Sequence, residues 1–494
     1  EDEGGRVTGL RLADGRRIRA QVLILTTGTF LRGLMHVGLQ QIPGGRVDDP
    51  PAVNLSESLE KLGLKLGRMK TGTPARLAAE SLDLDSLEAQ PSDELVLPFS
   101  LDTQSLNLPD VVCWVTRTCS ATHAIIRGGL ERSPLFSGAI EGVGARHCPS
   151  IEHKVMRFAD RDSHQVILEP TDRSGRIIYP NGISTSLPAD VQAEMIHSIP
   201  GLEKAHILQP GYGIEYDYVH PTQLSASLEC KDLPGLFLAG QINGTSGYEE
   251  AAGQGLLAGV NAVRGLAGRE PLVLGRHQAY IGVMIDDLVT RGTEEPYRMF
   301  SSRAEFRLML REDNAAERLH PEAEEIALLS EARLARRARE NRAVEELVER
   351  LEQERVPASL DPRRPSLAKY LRRPEVGMAE LLPWLDLEDP QTDVLERVEV
   401  RVKYQGYVDR QIREARQLES QRRRRLPLDM DYHAIPGLSR ELQDKLSRLR
   451  PRDLDQASRV DGMTPAALMV LSLRLGMGSV PRGTNEARPE EESK

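Results

Sequence analysis

Cys148 is the residue in this chain best placed to act as a nucleophile. It lies within Gly142-Val-Gly-Ala-Arg-His-Cys-Pro-Ser-Ile-Glu-His-Lys-Val-Met-Arg-Phe158, near Arg146, His147 and Lys154 in sequence. Cations beside a thiol lower its pKa and enrich the reactive thiolate, although most lone cysteines are inert buried side chains. Ile151 opens a run that reads as helix or strand. A second set is acidic. Tyr212 to His220 alternates as a strand with Glu215 and Asp217 on one side. Such a pair suits general acid–base work, but a hydrated sheet face is the expected reading. A third set is basic: Arg298, Arg303, Arg307 and Arg311 recur at near-helical spacing among Tyr297, Phe300 and Phe306. Cations with aromatics suit an RNA backbone with splayed bases; an ion-paired helix with Glu305 and Glu312 is the competing reading. Arg68, Lys70 and Arg76 around a Gly-Thr-Pro turn read as a cationic loop for phosphate or carboxylate.

These residues need elements to hold them, and residues 235–262 supply the clearest one. Leu236 to Ala239 is an apolar run of strand length, followed by a loop dense in Gly, Asn, Thr and Ser. Good helix formers begin at about Glu250. Strand, glycine loop and helix is how a doubly wound sheet presents backbone N–H groups to a phosphate. Earlier, residues 6–20 read as a hairpin about Asp14-Gly15, and Val22 to Leu25 as a buried strand running into Thr26-Thr-Gly-Thr29. No Gly-x-Gly-x-x-Gly precedes Val22. Leu55 to Leu62 forms an amphipathic helix with a Ser or Asn cap, and Asp190 to Ile199 a second helix. Tyr280 to Leu288 is an apolar run ending at two carboxylates, and Glu322 to Arg355 one long helix with a solvated charged face. Residues 435–439 and 460–465 each place a Gly turn before a helix, a device that can touch nucleic-acid phosphates.

With 494 residues there is room for two to four domains. A net charge of −10 argues against a uniformly basic nucleic-acid binder, while leaving room for a local basic face in the Arg-rich C-terminal third. Cys113, Cys119, Cys148 and Cys230 are too sparse for a disulfide framework and point to a reducing compartment. No apolar run approaches the length of a membrane span. No metal site is assigned.

Residues 235–262 resemble the second signature of the GidA/MnmG family, FAD-dependent enzymes that modify the wobble uridine of certain tRNAs. Ala239, Gly240, Gln241, Asn243, Gly244, Gly247, Tyr248, Glu250, Gln254, Gly255, Ala258, Gly259, Asn261 and Ala262 fall at the family's positions. Residues 142–158 resemble its first signature, Gly-Pro-x-Tyr-Cys-Pro-Ser-Ile-Glu-x-Lys, with Ala145 for Pro and His147 for Tyr. The Lys-Thr-Gly-Thr-Pro stretch at 70–74 and the 295–314 block are similar too. Ala52 stands where the family usually has a flavin-contacting Ser, and Thr116-Arg-Thr-Cys119 replaces Thr-His-Thr-Asn, removing an imidazole.

The resemblance implies an α/β fold of the two-dinucleotide-domain flavoprotein type. A Rossmann-like FAD-binding domain occupies residues 1–75 and 176–290. An inserted α+β nicotinamide-nucleotide domain occupies 76–175, a C-terminal all-helical tRNA- and partner-binding domain 291–480, and a disordered tail 481–494. It implies FAD contacts at Gly28, Ala52, Gly240, Gln241, Asn243, Gly244 and Gly247. Nicotinamide contacts follow at Gly144, Ala145, Arg146, His147, Pro149, Ser150, Ile151, Glu152, Lys154 and Phe158. Cys148 becomes the catalytic thiol, and Lys70, Arg298, Arg303 and Arg307 the tRNA contacts. The implied activity adds an aminomethyl or carboxymethylaminomethyl group at C5 of the wobble uridine. It uses FAD, NADH and methylenetetrahydrofolate, with an MnmE-type GTPase on the anticodon arm, as a homodimer within a heterotetramer. The expected location is the cytoplasm, with the mitochondrial matrix as alternative. The missing Gly-x-Gly-x-x-Gly suggests an N-terminally truncated member. Three rivals are a folate- and FAD-dependent tRNA uridine methyltransferase, a flavin disulfide reductase, and a tRNA- or GTPase-binding module without activity of its own. The long C-terminal region disfavours the first, and the lack of a CxxC or CxxxxC pair the second.

Overall fold

The computed structural model describes residues 2–93, 100, 102–103, 111–146, 149–385, 387, 392–422, 424–427 and 429–477. His147, Cys148 and the 481–494 tail therefore lie outside the described residues. The chain divides into two compact units: residues 1–224, 228–262 and 293–298 in one, and 225–227, 263–292 and 299–494 in the other.

In the first unit the Asp14-Gly15 turn forms as its chemistry requires. Gly15 sits at φ +87° and the Asp14 carboxylate accepts from Arg16 N at 3.0 Å, joining strands Gly9–Arg11 and Arg17–Arg19. Strand Leu23–Leu25 pairs in parallel with Leu236–Leu238, although 213 positions separate their paired residues.

A five-stranded sheet runs in the order Val143–Gly144, Leu66–Thr73, Tyr212–Val219, Leu34–Val37, Gln40–Pro43. Its spine is the eight-residue antiparallel pairing of 66–73 with 212–219. The expected cationic loop at Arg68 and Lys70 is therefore strand. The expected hydrated face is also overturned, because every residue from Tyr212 to Val219 is buried.

A six-stranded sheet, ordered Glu88–Gln90, Cys113–Arg117, Gln165–Pro170, Ile177–Asn181, Arg76–Ala78, Ile207–Gln209, is antiparallel throughout. Leu77, Val166, Leu168 and Ile178 from its strands bury against Ile126, Ile151 and Met195 from three helices. This is the α+β body expected within the flavoprotein frame, and its strands come from both sides of residue 175. Helix Ser120–Gly128 begins at Cys119, whose N–H is held by the Thr122 hydroxyl at 3.1 Å. Helix Val53–Lys61 starts at Ala52 without a side-chain cap, where Ser or Asn was expected.

The second unit is helical. The long charged stretch breaks at Ile326 to Ser330; Ser330 then caps helix Glu331–Gln353. That helix buries Arg337, Val344, Leu347 and Leu351 and leaves a broad charged face, as its composition implied. Val344, Leu347 and Leu351 join Leu367, Leu371, Val398 and Val402 in one core. A final core forms around helix Arg440–Leu449, which buries Leu442, Leu446 and Leu449 at one-face spacing. Gly437 and Gly462 take φ +91° and +89° in the two turns that precede helices Arg440–Leu449 and Pro465–Met477. Residues 295–314, whose arginines recur at near-helical spacing, contain only a short 3-10 turn at Ser301–Arg303. Tyr297 and Phe306 are buried, so neither offers a free face for base stacking; Phe300 is exposed. Among the described residues no helix is long and apolar enough to cross a membrane.

Candidate dinucleotide site and adjoining cleft

The parallel pair 23–25 and 236–238 places two turns at the same, carboxyl-terminal end, the end at which open α/β sheets take ligands. After the first strand comes Thr26-Thr-Gly-Thr29 with Gly28 at φ +58°. The second leads into a 3-10 turn, Gly240–Asn243, closed by left-handed Gly244. The turns meet: a Cβ on Gly28 would lie 3.5 Å from Gln241 Oε1. Gln254, buried on helix Tyr248–Leu266, fixes the second turn by accepting from Gly240 N at 3.0 Å and Asn243 Nδ2 at 2.8 Å. Tyr297 ties its far end, donating to Gly244 O at 2.8 Å and accepting from Ser246 N at 3.2 Å. A Cβ on Gly244 would come within 2.8 Å of Thr293 Cγ2 and 3.0 Å of Met69 Cε. Around this crevice Thr27 Oγ1 and Asn243 Oδ1 are buried without a hydrogen-bond partner. Burial pushes the Tyr216 hydroxyl's pKa up, with Gln241 working against the shift. Backbone pinned open by glycine beside unanswered polar atoms fits a bound dinucleotide. Ala52, the other expected flavin contact, already spends its N–H on Phe30 O at 2.8 Å.

A cleft of about 420 Å³ adjoins this turn and includes Ser246 in its lining. It gathers residues that the sequence kept in separate groups: Lys70 from strand 66–73, Gly144, Ala145, Arg146, Pro149 and Ser150 from the first signature, and Arg298. Lys70 is buried and faces this cleft. Arg298 pairs with Glu250 at 3.3 Å, and Arg146 with Glu295 at 3.1 Å. Ile151, Glu152, Lys154 and Phe158 do not line it; they seat helix Ile151–Arg157 beside it. Ile151 N donates to Ser184 O at 2.8 Å, Glu152 accepts from Ser186 N at 3.0 Å, and Lys154 Nζ donates to Gly182 O at 2.8 Å. Ser150 caps that helix through His153 N. Desolvation and then the Lys70 charge lower the pKa of His153, keeping the imidazole neutral near pH 7.

Sequence reading did not find Thr71, Gly72, Ser184 or Thr185 in this cleft, nor the acid that shapes its rim. Glu215 accepts from Glu141 N at 2.9 Å, Gly142 N at 2.6 Å and buried His36 Nε2 at 2.9 Å. Asp217, next on the same face, holds Arg68 at 2.8 Å and Arg32 at 3.4 Å. Both acids are thus structural anchors in a buried sheet. Arg303 and Arg307 belong to the second unit; Arg303 reaches Asp287 at 3.8 Å, and Arg307 is exposed.

Residues 1–270 match the family model described as Glucose inhibited division protein A. Residues 331–412 and 414–494 match the C-terminal helical domain and helical bundle of the tRNA modifying enzyme MnmG/GidA. The chain belongs to the GidA/MnmG family. Among its curated relatives, the tRNA uridine 5-carboxymethylaminomethyl modification enzymes MnmG of Syntrophotalea carbinolica and Geobacter sulfurreducens are each 51% identical. Each alignment covers 96% of this chain and 78% of the relative. Aquifex aeolicus GidA superposes with a TM-score of 0.88 in both of its crystal forms, at 41% and 43% identity, over 96% of this chain and 78–79% of the other. The C-terminal region matched at 331–412 and 414–494 is thus a GidA/MnmG element, which sets the methyltransferase and disulfide-reductase readings aside.

Proposed function

We propose that this chain acts in the flavin-dependent modification of tRNA at C5 of the wobble uridine, installing an aminomethyl or carboxymethylaminomethyl group in concert with an MnmE-type GTPase. The observation that carries the reading is the meeting of the Gly28 and Gly240–Gly247 turns at the carboxyl end of the parallel pair. In this reading Gly28, Gly240, Gln241, Asn243, Gly244 and Gly247 hold FAD, and the cleft beside Ser246 takes a nicotinamide nucleotide against Gly144 to Ser150. FAD supplies two-electron chemistry when bound, NADH keeps it reduced, and methylenetetrahydrofolate is the one-carbon source. Cys148, two positions after the cleft residue Arg146 and directly before the cleft residue Pro149, is the proposed thiol. Arg298, Arg303 and Arg307 are the proposed contacts to the anticodon arm, in a homodimer that pairs with the GTPase in the cytoplasm.

Gly244→Ala tests the crevice. A side chain at φ +77° facing Thr293 and Met69 should destabilise the first unit by about 1–3 kcal/mol and weaken flavin retention at least about tenfold. Visible flavin absorbance of the purified chain is the readout. Undiminished flavin in the variant would refute the placement, and a colourless wild-type chain that still retards tRNA on a gel would support the binding-module alternative. Cys148→Ser should abolish modification while leaving flavin in place; wild-type turnover would remove the thiol from the chemistry.

A further inference from the structure

The helical unit has a cavity of its own, about 260 Å³, between residues 311–318 and helices Glu331–Gln353 and Thr392–Arg422. Four guanidinium groups line it: Arg311, Arg318, Arg397 and Arg401. Two carboxylates answer them inside. Asp313 takes Arg311 in a two-pronged pair at 2.8 and 2.9 Å. Glu317 is shared, at 3.4 Å from Arg397 and 3.2 Å from Arg401. Asp409, the remaining acid of the lining, is exposed at its rim.

Arg318 bonds only to neutral oxygens: Asn314 Oδ1 at 3.3 Å, Arg311 O at 3.3 Å, and Gln278 O. Burial, and then the neighbouring Arg311 charge, hold its pKa below the ordinary arginine value. No carboxylate bonds to this half-buried cation, although Asp313 and Glu322 act on it from further off, and charge left without a bonded partner away from water is costly. The lining thus carries four guanidinium groups against three carboxylates, a surplus of one positive group, within a chain whose net charge is −10.

We propose that this cavity is an anion site that takes a phosphate group. Phosphate fits on charge, because a phosphodiester carries one negative charge and a monoester about 1.5 to 2 near neutral pH, enough to answer the surplus. It also fits on shape, since guanidinium forks bind phosphate oxygens in pairs. The group could arrive on a free phosphate or nucleotide, or along an RNA backbone. The site is separate from the proposed flavin crevice and does not depend on that reading.

The test titrates the whole chain with sodium phosphate, using sodium chloride to hold ionic strength constant, and separately with a labelled anticodon stem-loop RNA. Wild type is compared with Arg318→Gln and with the more exposed Arg401→Gln. The second variant keeps the test decisive if the first fails to fold. Saturable phosphate binding that weakens about tenfold in a folded variant supports a free-phosphate source. No phosphate binding, with RNA affinity falling by a similar factor and a shallower salt dependence, supports the RNA source. If both affinities match wild type in folded variants, the cavity is not an anion site.

Discussion

Arg276→Met should destabilise the helical unit by about 3–5 kcal/mol, the usual cost of removing one member of a buried ionic network. Arg276 is 5% exposed. Its Nε reaches both Glu305 oxygens at 3.1 Å, Nη1 reaches Asp287 at 2.6 Å and Asp286 at 3.2 Å, and Nη2 donates to Arg303 O at 3.0 Å. Burial alone would lower its pKa, but the Glu305 bond and the Asp287 and Asp286 charges prevail and raise it. Methionine fills much of the volume and supplies none of these contacts. Asp286 would keep Arg459 at 2.6 and 2.8 Å. The loss therefore falls on Asp287, which is 3% exposed and whose other cations, Arg291 and Arg303, stand at 3.9 and 3.8 Å. Lysine should recover little, because one ammonium cannot span acceptors on two segments as the guanidinium fork does. The two tryptophans make the measurement direct: Trp114 lies in the first unit and Trp384 in the second. In a Trp114→Phe background, urea unfolding followed by Trp384 reports the helical unit alone. A loss below about 1 kcal/mol would show that water replaces the guanidinium at these acids.

What was legible in the sequence was local. The Asp14-Gly15 hairpin, the strand–glycine turn–helix of residues 235–262 and the glycine turns before the last helices each rest on neighbours a few positions apart. What was not legible depended on distant partners. Gly67-Arg-Met-Lys-Thr-Gly-Thr73 has a loop's composition, yet it is strand because Tyr212–Val219 lies alongside it. Its residues were read as a phosphate-binding loop for want of that partner. Glu215 and Asp217 were expected to face water because their partners, His36, Arg32 and Arg68, are about 150–185 positions away.

The arginines of residues 298–311 show the same limit from the other side. Their spacing suggested a helix, but three of the four answer different acids: Arg298 takes Glu250, Arg303 takes Asp287, and Arg311 takes Asp313. Periodicity describes a segment accurately only when its own backbone decides the conformation. Tyr297 illustrates the alternative. Its backbone secures the glycine turn at Gly244 and Ser246, so a residue grouped with the RNA-facing set helps to build the proposed dinucleotide crevice.

Glu215 gives the other large expected effect and connects stability to the cleft. Glu215→Ala should cost the first unit about 3–5 kcal/mol, because it leaves two backbone N–H groups and a fully buried imidazole without their acceptor. Gly142 cannot move far to compensate, since a Cβ there would already lie 2.8 Å from the Met69 carbonyl carbon. Burial by itself would raise the Glu215 pKa. The His36 bond, the Gly142 amide, the Arg68 charge and the Glu141 amide outweigh it and bring the value below the ordinary glutamate range. The unfolded chain therefore takes up this proton first as pH falls. The carboxylate's contribution is complete above about pH 4.3, the ordinary glutamate value, and is lost as pH drops through the lower folded value. Glu215→Gln removes the titration while keeping an acceptor for the amides. It should cost about 1–3 kcal/mol at pH 7 and flatten the acid-side decline relative to wild type. Urea unfolding followed through Trp114 in a Trp384→Phe background, at pH 7 and in steps down to pH 3, measures both quantities. An acid-side slope equal to that of wild type would mean that another carboxylate governs the decline.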